Sequence, residues 1–479
     1  MNFQMPDFSL ALPELWVATM ACVILVVDLF ARGRESAPAF YLTQLTLLVG
    51  IWLAIDAQWG RDAVTFSGSY VADNLAVVLK VAMMGLGLLA FAYSRDYLRQ
   101  RDLLKGEFYV LGLLGILGMM VMASAHSMLT MYLGLELLSL CQYALVAFNR
   151  DSRMGSEAAM KYFVLGALSS GLLLYGLSMV YGVTGSLDLG VIREAAAGVG
   201  AQNIMLAFGL TFVVVGVAFK FGAVPFHMWI PDVYQGAPTA VTLYIGTAPK
   251  VAAVALFMRL IGEGLAGLQE HWELMLVILA VGSLAVGNIF ALVQTNMKRL
   301  LAYSTISHVG FLLLGFIAGT PEGYTAALFY AVSYSLMAAG AFGMVILLSR
   351  RGFEAEEVED MKGLNDRHSG FAFIMLILMF SMTGVPGTVG FYAKWLVLKA
   401  VIDVDMVWLA VVAVIFAVIG AFYYLRVLKM VYFDRVEGGE ALQAPAGLRV
   451  VLAGNGLAVL ILGIFPDSLI AACAAAFGS

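Results

Sequence analysis

Five lysines stand where lysine is least at home. Lys80, Lys161, Lys220, Lys250 and Lys394 each lie inside a long apolar run, and Glu136 does the same in Tyr132-Leu-Gly-Leu-Glu136-Leu-Leu-Ser139. A charge at the centre of a membrane helix costs about 2.5–3.5 kcal/mol even on lenient insertion scales. Six such groups together cost roughly 15–20 kcal/mol, comparable with the whole stability of a domain. Groups that costly persist where they pair, sit in watery cavities, or are needed. Arginine suits a fixed ion pair better, because it never gives up its proton. Burial lowers a lysine's pKa and raises a glutamate's, so buried lysines can load and release protons near neutral pH as an opposite charge comes and goes. His308, in Ser304-Thr-Ile-Ser-His308-Val-Gly, adds an imidazole that titrates near neutrality. Bland readings exist for three of these. Lys80 can snorkel or pair with Asp73, Lys161 can snorkel from its helix end, and His308 can simply be packed.

The elements that hold these residues are membrane helices. Of the 479 residues, 62% are hydrophobic and 12% are charged, against about 25% charged in soluble domains. The net charge of -5 is dispersed, with no basic tract for nucleic acid and no acidic tail. Windows of about 20 apolar residues predict fourteen spans: 10–30, 38–55, 71–93, 107–124, 127–148, 157–182, 203–230, 237–261, 273–293, 300–319, 323–349, 369–398, 406–433 and 447–472. No Lys or Arg precedes the first apolar run, so it reads as a retained span rather than a cleaved signal. Cys22, Cys141 and Cys473 lie singly in apolar runs, with no metal-ligand or disulfide spacing. Gly112-x-x-Gly115-x-x-Gly118 sits inside a helix and reads as close helix packing. No phosphate loop, dinucleotide fingerprint or haem ligand pair is found, so no redox centre is expected on this chain.

Orientation follows from the basic residues. Loops after odd-numbered spans hold eighteen Lys and Arg, Arg32, Arg34, Lys298 and Arg435 among them, while the other side holds Arg61, Arg193, Arg259 and Lys399. Both termini are therefore expected on the outer side and the charged loop 350–368 on the cytoplasmic side. Of the 27 Lys and Arg, the five left over are the lysines above. Glu136 reads as the lone mid-span carboxylate.

Two lysine-bearing spans are interrupted. Lys220 precedes Gly222-Ala-Val-Pro225-Phe-His227, and Lys394 follows Gly384-Val-Pro386-Gly-Thr-Val-Gly390. Proline removes an intrahelical hydrogen bond, and the freed carbonyls need water or protein partners in a membrane. Discontinuous helices at matching places in two halves point to an ion site in a transporter. These are spans 7 and 12, and their odd offset makes spans 4–8 and 9–13 two inverted five-helix repeats. The expected fold is an all-α membrane protein with peripheral helices in 1–105, repeats in 106–262 and 263–435, and a C-terminal helix in 436–479. Two half-paths open to opposite faces and meet at the midplane.

The stretch Lys220-Phe-Gly-Ala-Val-Pro-Phe-His-Met-Trp-Ile-Pro-Asp-Val-Tyr-Gln-Gly-Ala-Pro-Thr239 resembles the signature of the antiporter-like membrane subunits of respiratory complex I. Lys298-Arg-Leu-Leu-Ala-Tyr-Ser-Thr-Ile-Ser-His308 and Gly384-Val-Pro-Gly-Thr-Val-Gly-Phe391 are similar to two further blocks of that family. The likeness runs through all fourteen spans. Pro-Asp-Val-Tyr-Gln-Gly-Ala-Pro, a lysine at 394 and a chain that ends soon after span 14 are closest to the N-type of the bacterial NADH–quinone oxidoreductase. The resemblance implies that Glu136 pairs with Lys220 as a charge switch, with Lys161 modulating the pair. Lys250 then lies on a central polar axis, His308 follows, and Lys394 serves the other half-path. It assigns nothing to Lys80. It further implies a proton-translocating subunit of an NADH–quinone reductase in the bacterial inner membrane. No cofactor is expected on this chain, with FMN, iron–sulfur clusters and quinone in partner subunits. Expected partners are other membrane-arm subunits, adjacent antiporter-like subunits among them, and membrane lipids; no nucleic acid is expected. Two alternatives share these residues: an Mrp-type sodium–proton antiporter subunit, and a structural subunit whose buried charges only hold helices together.

Overall fold

A backbone in hydrocarbon must satisfy its own N–H and C=O groups, which leaves the helix as the default for these apolar runs. The computed structural model describes residues 5–30, 37–200, 202–434 and 444–478, and within them the chain is almost entirely helical. The first helices are α1 (Leu12–Phe30), α2 (Ala37–Gln58), α3 (Asn74–Gln100), α4 (Gly106–Ala123), α5 (Met128–Val146), α6 (Arg153–Thr184) and α7 (Leu189–Val199). The middle of the chain forms α8 (Ile204–Phe221), α9 (Trp229–Gly236), α10 (Thr239–Ile245), α11 (Ala248–Phe257), α12 (Gln269–Leu292), α13 (Met297–Ile317) and α14 (Pro321–Leu348). The remainder are α15 (Leu364–Arg367), α16 (Ser369–Thr383), α17 (Val389–Asp403), α18 (Val407–Tyr432), α19 (Ala446–Ile464) and α20 (Asp467–Ala475). A small antiparallel hairpin, β1 (Ala63–Thr65) with β2 (Tyr70–Ala72), joins α2 to α3. Polar side chains cap the helices where apolar runs end, as Asp73 does for α3, Ser152 for α6, Asn203 for α8 and Asn296 for α13.

Among the described residues, thirteen helical stretches are long and apolar enough to cross a membrane. The twelfth predicted span is the exception, because it divides into α16 and α17 around Gly384–Thr388. Span 7 divides into α8 and α9. Span 8, expected continuous, is also divided, into α10 and α11 at Gly246–Thr247, and continues as a π-helical turn from Met258 to Gly264. The last predicted span stops at Ile464, and α20 follows as a separate short helix. Arg32, Arg34 and Arg435, used above for orientation, lie outside the described residues.

The same packing recurs in both five-span sets. Helix α4 lies against α5 as α12 lies against α13, and α6 lies against both halves of broken span 7 (α8 and α9) as α14 lies against both halves of span 12 (α16 and α17). The glycine run of α4 works as helix packing: a β-carbon on Gly118 would stand 2.6 Å from the Gly134 carbonyl oxygen of α5. The α10–α11 stretch, α13 and α14 are buried almost throughout, whereas α1, α2, α18 and α19 keep broad apolar faces outward, as lipid-facing helices do.

Three charges depart from their expected surroundings. Lys80 does not snorkel or bind Asp73. It is fully buried, with its Nζ 2.6 Å from Glu14 Oε1, and it donates to Gln58 Oε1 at 2.9 Å and Tyr70 Oη at 3.1 Å. Glu14 is thus a further carboxylate inside a span besides the half-buried Glu136. Asp73 instead takes Arg259, counted above among loop residues but 2% exposed here. Its guanidinium reaches both Asp73 oxygens at 2.7 and 2.8 Å, Glu263 at 2.7 Å and the Ala123 carbonyl at 2.9 Å. The first cluster ties α1, α2 and α3 together, and the second ties the start of α3 to α4 and the end of the α11 stretch. A forked guanidinium suits such a multi-acceptor site, which an ammonium would fill poorly.

Candidate functional site

Lys220 occupies the last turn of α8, and its Nζ donates to Ser139 Oγ of α5 at 2.8 Å. Glu136 lies one turn away on α5. Its Oε1 is buried without a hydrogen-bond partner; in this conformation Lys220 bonds Ser139, and Glu136 stays near enough to act on its charge. Glu136 borders the outward face of α5 that exposes Leu129, Leu133 and Leu140. Lys220 and Lys250 line one cavity of about 20 Å³ together with Ser139, Gln142, Tyr162 and Trp229, which is room for about one water.

The ends of the broken helices explain the placement of two lysines. Helix α8 terminates at Gly222, whose φ of 78° is left-handed, with Gly222 and Ala223 N–H both donating to the Ala218 carbonyl. Helix α16 terminates in the same way at Gly384, φ 93°, with Gly384 and Val385 N–H donating to the Phe380 carbonyl. Such caps satisfy some of the final carbonyls and leave others open. Lysine takes the last of them. Lys250 Nζ donates to the Phe221 carbonyl at 2.8 Å, and Lys394 Nζ donates to the Met382 and Thr383 carbonyls at 3.1 and 2.7 Å. A cation at a helix C-terminus also meets the negative end of the dipole. Each ammonium faces an aromatic ring as well, Trp229 at 5.4 Å for Lys250 and Phe311 at 5.0 Å for Lys394. Sequence pairs Lys220 with Lys394 because each sits near a proline; the geometry pairs Lys250 with Lys394.

Gly384 therefore has two duties. A β-carbon there would lie 3.0 Å from Lys394 Cδ, whereas one on Gly387, equally left-handed at φ 89°, would meet open space. Gly384→Ala and Gly387→Ala should each cost about 1–2 kcal/mol of backbone strain. Only Gly384→Ala should also displace Lys394. Thermal melting is expected to fall for both variants and proton pumping to fall further for Gly384→Ala alone; equal pumping by the two would count against this placement of Lys394.

His308 lies on α13 between the two breaks. Its Nδ1 is 2.7 Å from Tyr330 Oη and its Nε2 is 3.0 Å from Tyr424 Oη, and Tyr424 continues to Ser304 at 2.5 Å. Thr305 joins Tyr334 at 2.6 Å. Ser335, next to Tyr334, donates to the Thr247 carbonyl at the α10–α11 break. Hydroxyls and an imidazole thus form two short groups in the core, Ser304–Tyr424–His308–Tyr330 and Thr305–Tyr334, able to exchange donor and acceptor roles.

Lys161 is not in this group. It is 45% exposed and pairs with Asp232 of α9 at 2.8 Å and Glu157 at 3.0 Å. Two residues that sequence reading left in loops do reach inward. Lys298, 1% exposed, donates to the Ala237 carbonyl that follows α9 and to Glu356, both at 2.9 Å. Arg299 binds Asp232 and Gln235 of α9 at 2.8 and 3.0 Å. Their signal lies in the block Lys298–His308 itself, whose first residues fall just before the apolar window of span 10 opens. Among the described residues, no group of three or more His, Cys, Asp or Glu side chains is placed to hold a metal.

Residues 125–420 match the family described as NADH:quinone oxidoreductase/Mrp antiporter, TM. The NADH-quinone oxidoreductase subunit N of Alkalilimnicola ehrlichii is 66% identical over 479 residues, covering 100% of this chain and 98% of that one. A chain in the structure of respiratory complex I from Thermus thermophilus with bound Aureothin is 31% identical, with 97% of this chain and 99% of that chain covered and a TM-score of 0.82. A chain of the Mrp complex from Dietzia sp. shares the fold at 18% identity, with 98% and 97% covered and a TM-score of 0.84. Length, identity and the broken-helix architecture agree: the chain belongs to the NADH-quinone oxidoreductase subunit N family.

Proposed function

We propose that this chain is a proton-translocating membrane-arm subunit of a bacterial NADH–quinone oxidoreductase, driven by quinone reduction in partner subunits and carrying no redox centre itself. The observation that carries the reading is the pair of half-helix ends whose last carbonyls each hold a lysine ammonium, Lys250 on α8 and Lys394 on α16. An ammonium so held is favoured while protonated and loses its hold when the proton leaves. The two half-paths belong to residues 106–262 and 263–435, flanked by peripheral helices in 1–105 and a C-terminal helix in 436–479.

In the proposed cycle, a neighbouring subunit docks beside the outward face of α5 and perturbs Glu136. Lys220 then moves from Ser139 toward the carboxylate or away from it. Its proton passes to Lys250 through the shared cavity, onward through the hydroxyls around His308, and to Lys394. Lys161 acts at a distance, through Asp232 on α9. With both termini on the outer side of the cell's inner membrane, protons leave toward that side. Purification in mild detergent through a tag on this chain, followed by mass spectrometry, tests the assignment. Flavin and iron–sulfur subunits are expected to co-purify; capture of antiporter-type chains alone, with sodium-dependent collapse of a proton gradient in vesicles, would establish the Mrp alternative instead.

A further inference from the structure

Helix α9 stands between the lysine cavity and the face that holds loop 349–363. Its first residue, Trp229, lines the Lys220–Lys250 cavity. Its last, Gly236, borders two open clefts, one of about 540 Å³ beside Arg101, Glu354 and Glu356, the other of about 160 Å³ beside Lys161 and Asp232. Eight residues of helix therefore lie between these open clefts and the cavity shared by Lys220 and Lys250. That helix is gripped from the second five-span set. Lys298 and Arg299, neighbours in the first turn of α13, hold the Ala237 carbonyl and the Asp232 and Gln235 side chains respectively.

The grip is itself held by one loop. Glu356 Oε1 accepts from Lys298 at 2.9 Å, and its Oε2 lies 3.3 Å from Asn296 Nδ2. The loop backbone is fixed to the start of α13 by Met297 N–H to the Glu356 carbonyl and by Val358 N–H to the Thr295 carbonyl. Two residues earlier, Glu354 binds Arg101 at 2.6 Å and the Tyr97 hydroxyl. That hydroxyl accepts the Thr239 N–H at 3.0 Å. Two carboxylates of one loop thus brace both flanks of Ala237-Pro238-Thr239, the joint between α9 and α10. The loop runs between α14 and α16, so α16 links it to the helix break beside Lys394, while its carboxylates hold the joint at the cleft end of α9.

We propose that α9 is the inner gate of the lysine cavity and that Lys298, positioned by Glu356, is its latch. The inference deepens the proton-translocation reading and rests on it. Closed, the Lys298 ammonium caps the carbonyl end of α9 and keeps the half-helix wedged between cavity and clefts. Movement of α14 and α16 shifts loop 349–363, draws Glu356 from Lys298 and frees α9 to swing, opening the Lys220–Lys250 cavity to the inner clefts. Both residues act through α9 and are positioning residues.

The test uses inverted membrane vesicles carrying the whole respiratory complex, with Cys22, Cys141 and Cys473 replaced and Leu138→Cys introduced in the lysine cavity. A small charged thiosulfonate added from the cytoplasmic face reads the gate. Glu356→Gln keeps an acceptor for Lys298 but removes the opposite charge that holds its ammonium; losing that charge shifts a closed–open balance by about tenfold, so the variant should speed labelling by about that factor. Subunit co-purification confirms assembly of the variant. The charge swap Lys298→Glu with Glu356→Lys separates a latch from a plain ion pair, because a glutamate cannot cap the Ala237 carbonyl. Fast labelling in the swap is expected; unchanged labelling in Glu356→Gln, or restored slow labelling in the swap, overturns the gate. Lys220→Met in the same vesicles keeps the two readings apart: if it stops pumping while Glu356→Gln leaves labelling unchanged, the gate alone fails.

Discussion

Lys250→Arg should assemble into the complex, keep the α8 end capped, and stop proton passage through this subunit. Arginine retains the charge and can donate to the Phe221 carbonyl, and its guanidinium stacks readily on Trp229, which already lies 5.4 Å from the lysine Nζ. The cap is therefore kept. The proton is not transferable, because a guanidinium with pKa above about 12 is neutral in only about one molecule in 10⁵ at pH 7. Lys250→Met removes cap and proton carrier together. Protons released per electron, measured in vesicles with a pH-sensitive dye, should be low in both variants, while thermal stability should fall only for methionine. Pumping at the native ratio by the arginine variant would make Lys250 a structural cap and nothing more.

Lys80→Met should be among the most destabilising single changes in α1–α3. The ammonium is fully buried between Glu14, Gln58 and Tyr70. Removing it strands the Glu14 carboxylate, and breaking a buried pair from one side costs about 3–5 kcal/mol. Replacing both partners, as Glu14→Leu with Lys80→Met, should return most of that loss, because an apolar pair of similar volume is often as stable as the ions. The melting temperature of the complex across this double-mutant cycle measures the coupling. A double variant no better than Lys80→Met alone would mean that Glu14 is not the group that Lys80 neutralises.

What the sequence reveals and what it hides follow from the range of each signal. An ammonium in an apolar run is conspicuous wherever it lies, so Lys220, Lys250 and Lys394 stood out without any knowledge of their neighbours. Gly222 with Pro225 and Gly384 with Pro386 announced two helix breaks because the local backbone chemistry is unmistakable. The third break, at Gly246–Thr247, has its signal in Gly246 and Pro249 just before Lys250, but the surrounding hydropathy never dips, so an apolar window runs straight through it. Partners across helices leave no local trace. Nothing near Lys80 names Glu14, 66 positions away, and nothing near Glu136 shows that Lys220 turns to Ser139 instead. Arg259 and Lys298 looked like loop charges because window boundaries fall within a few residues of a helix end, where one turn of helix decides between solvent and core. The match of Lys250 with Lys394 required both side chains to be seen on helix ends, which no spacing rule predicts.

The central claim is that protons travel on these lysines, and Lys220 is the one nearest the proposed switch. The most direct measurement is the number of protons moved per NADH oxidised by vesicles containing the assembled Lys220→Met complex, compared with the native complex at equal turnover. A reduced ratio with all subunits present is the expected result. A native ratio would contradict the account, and would leave Lys220 as a half-buried donor that merely holds Ser139.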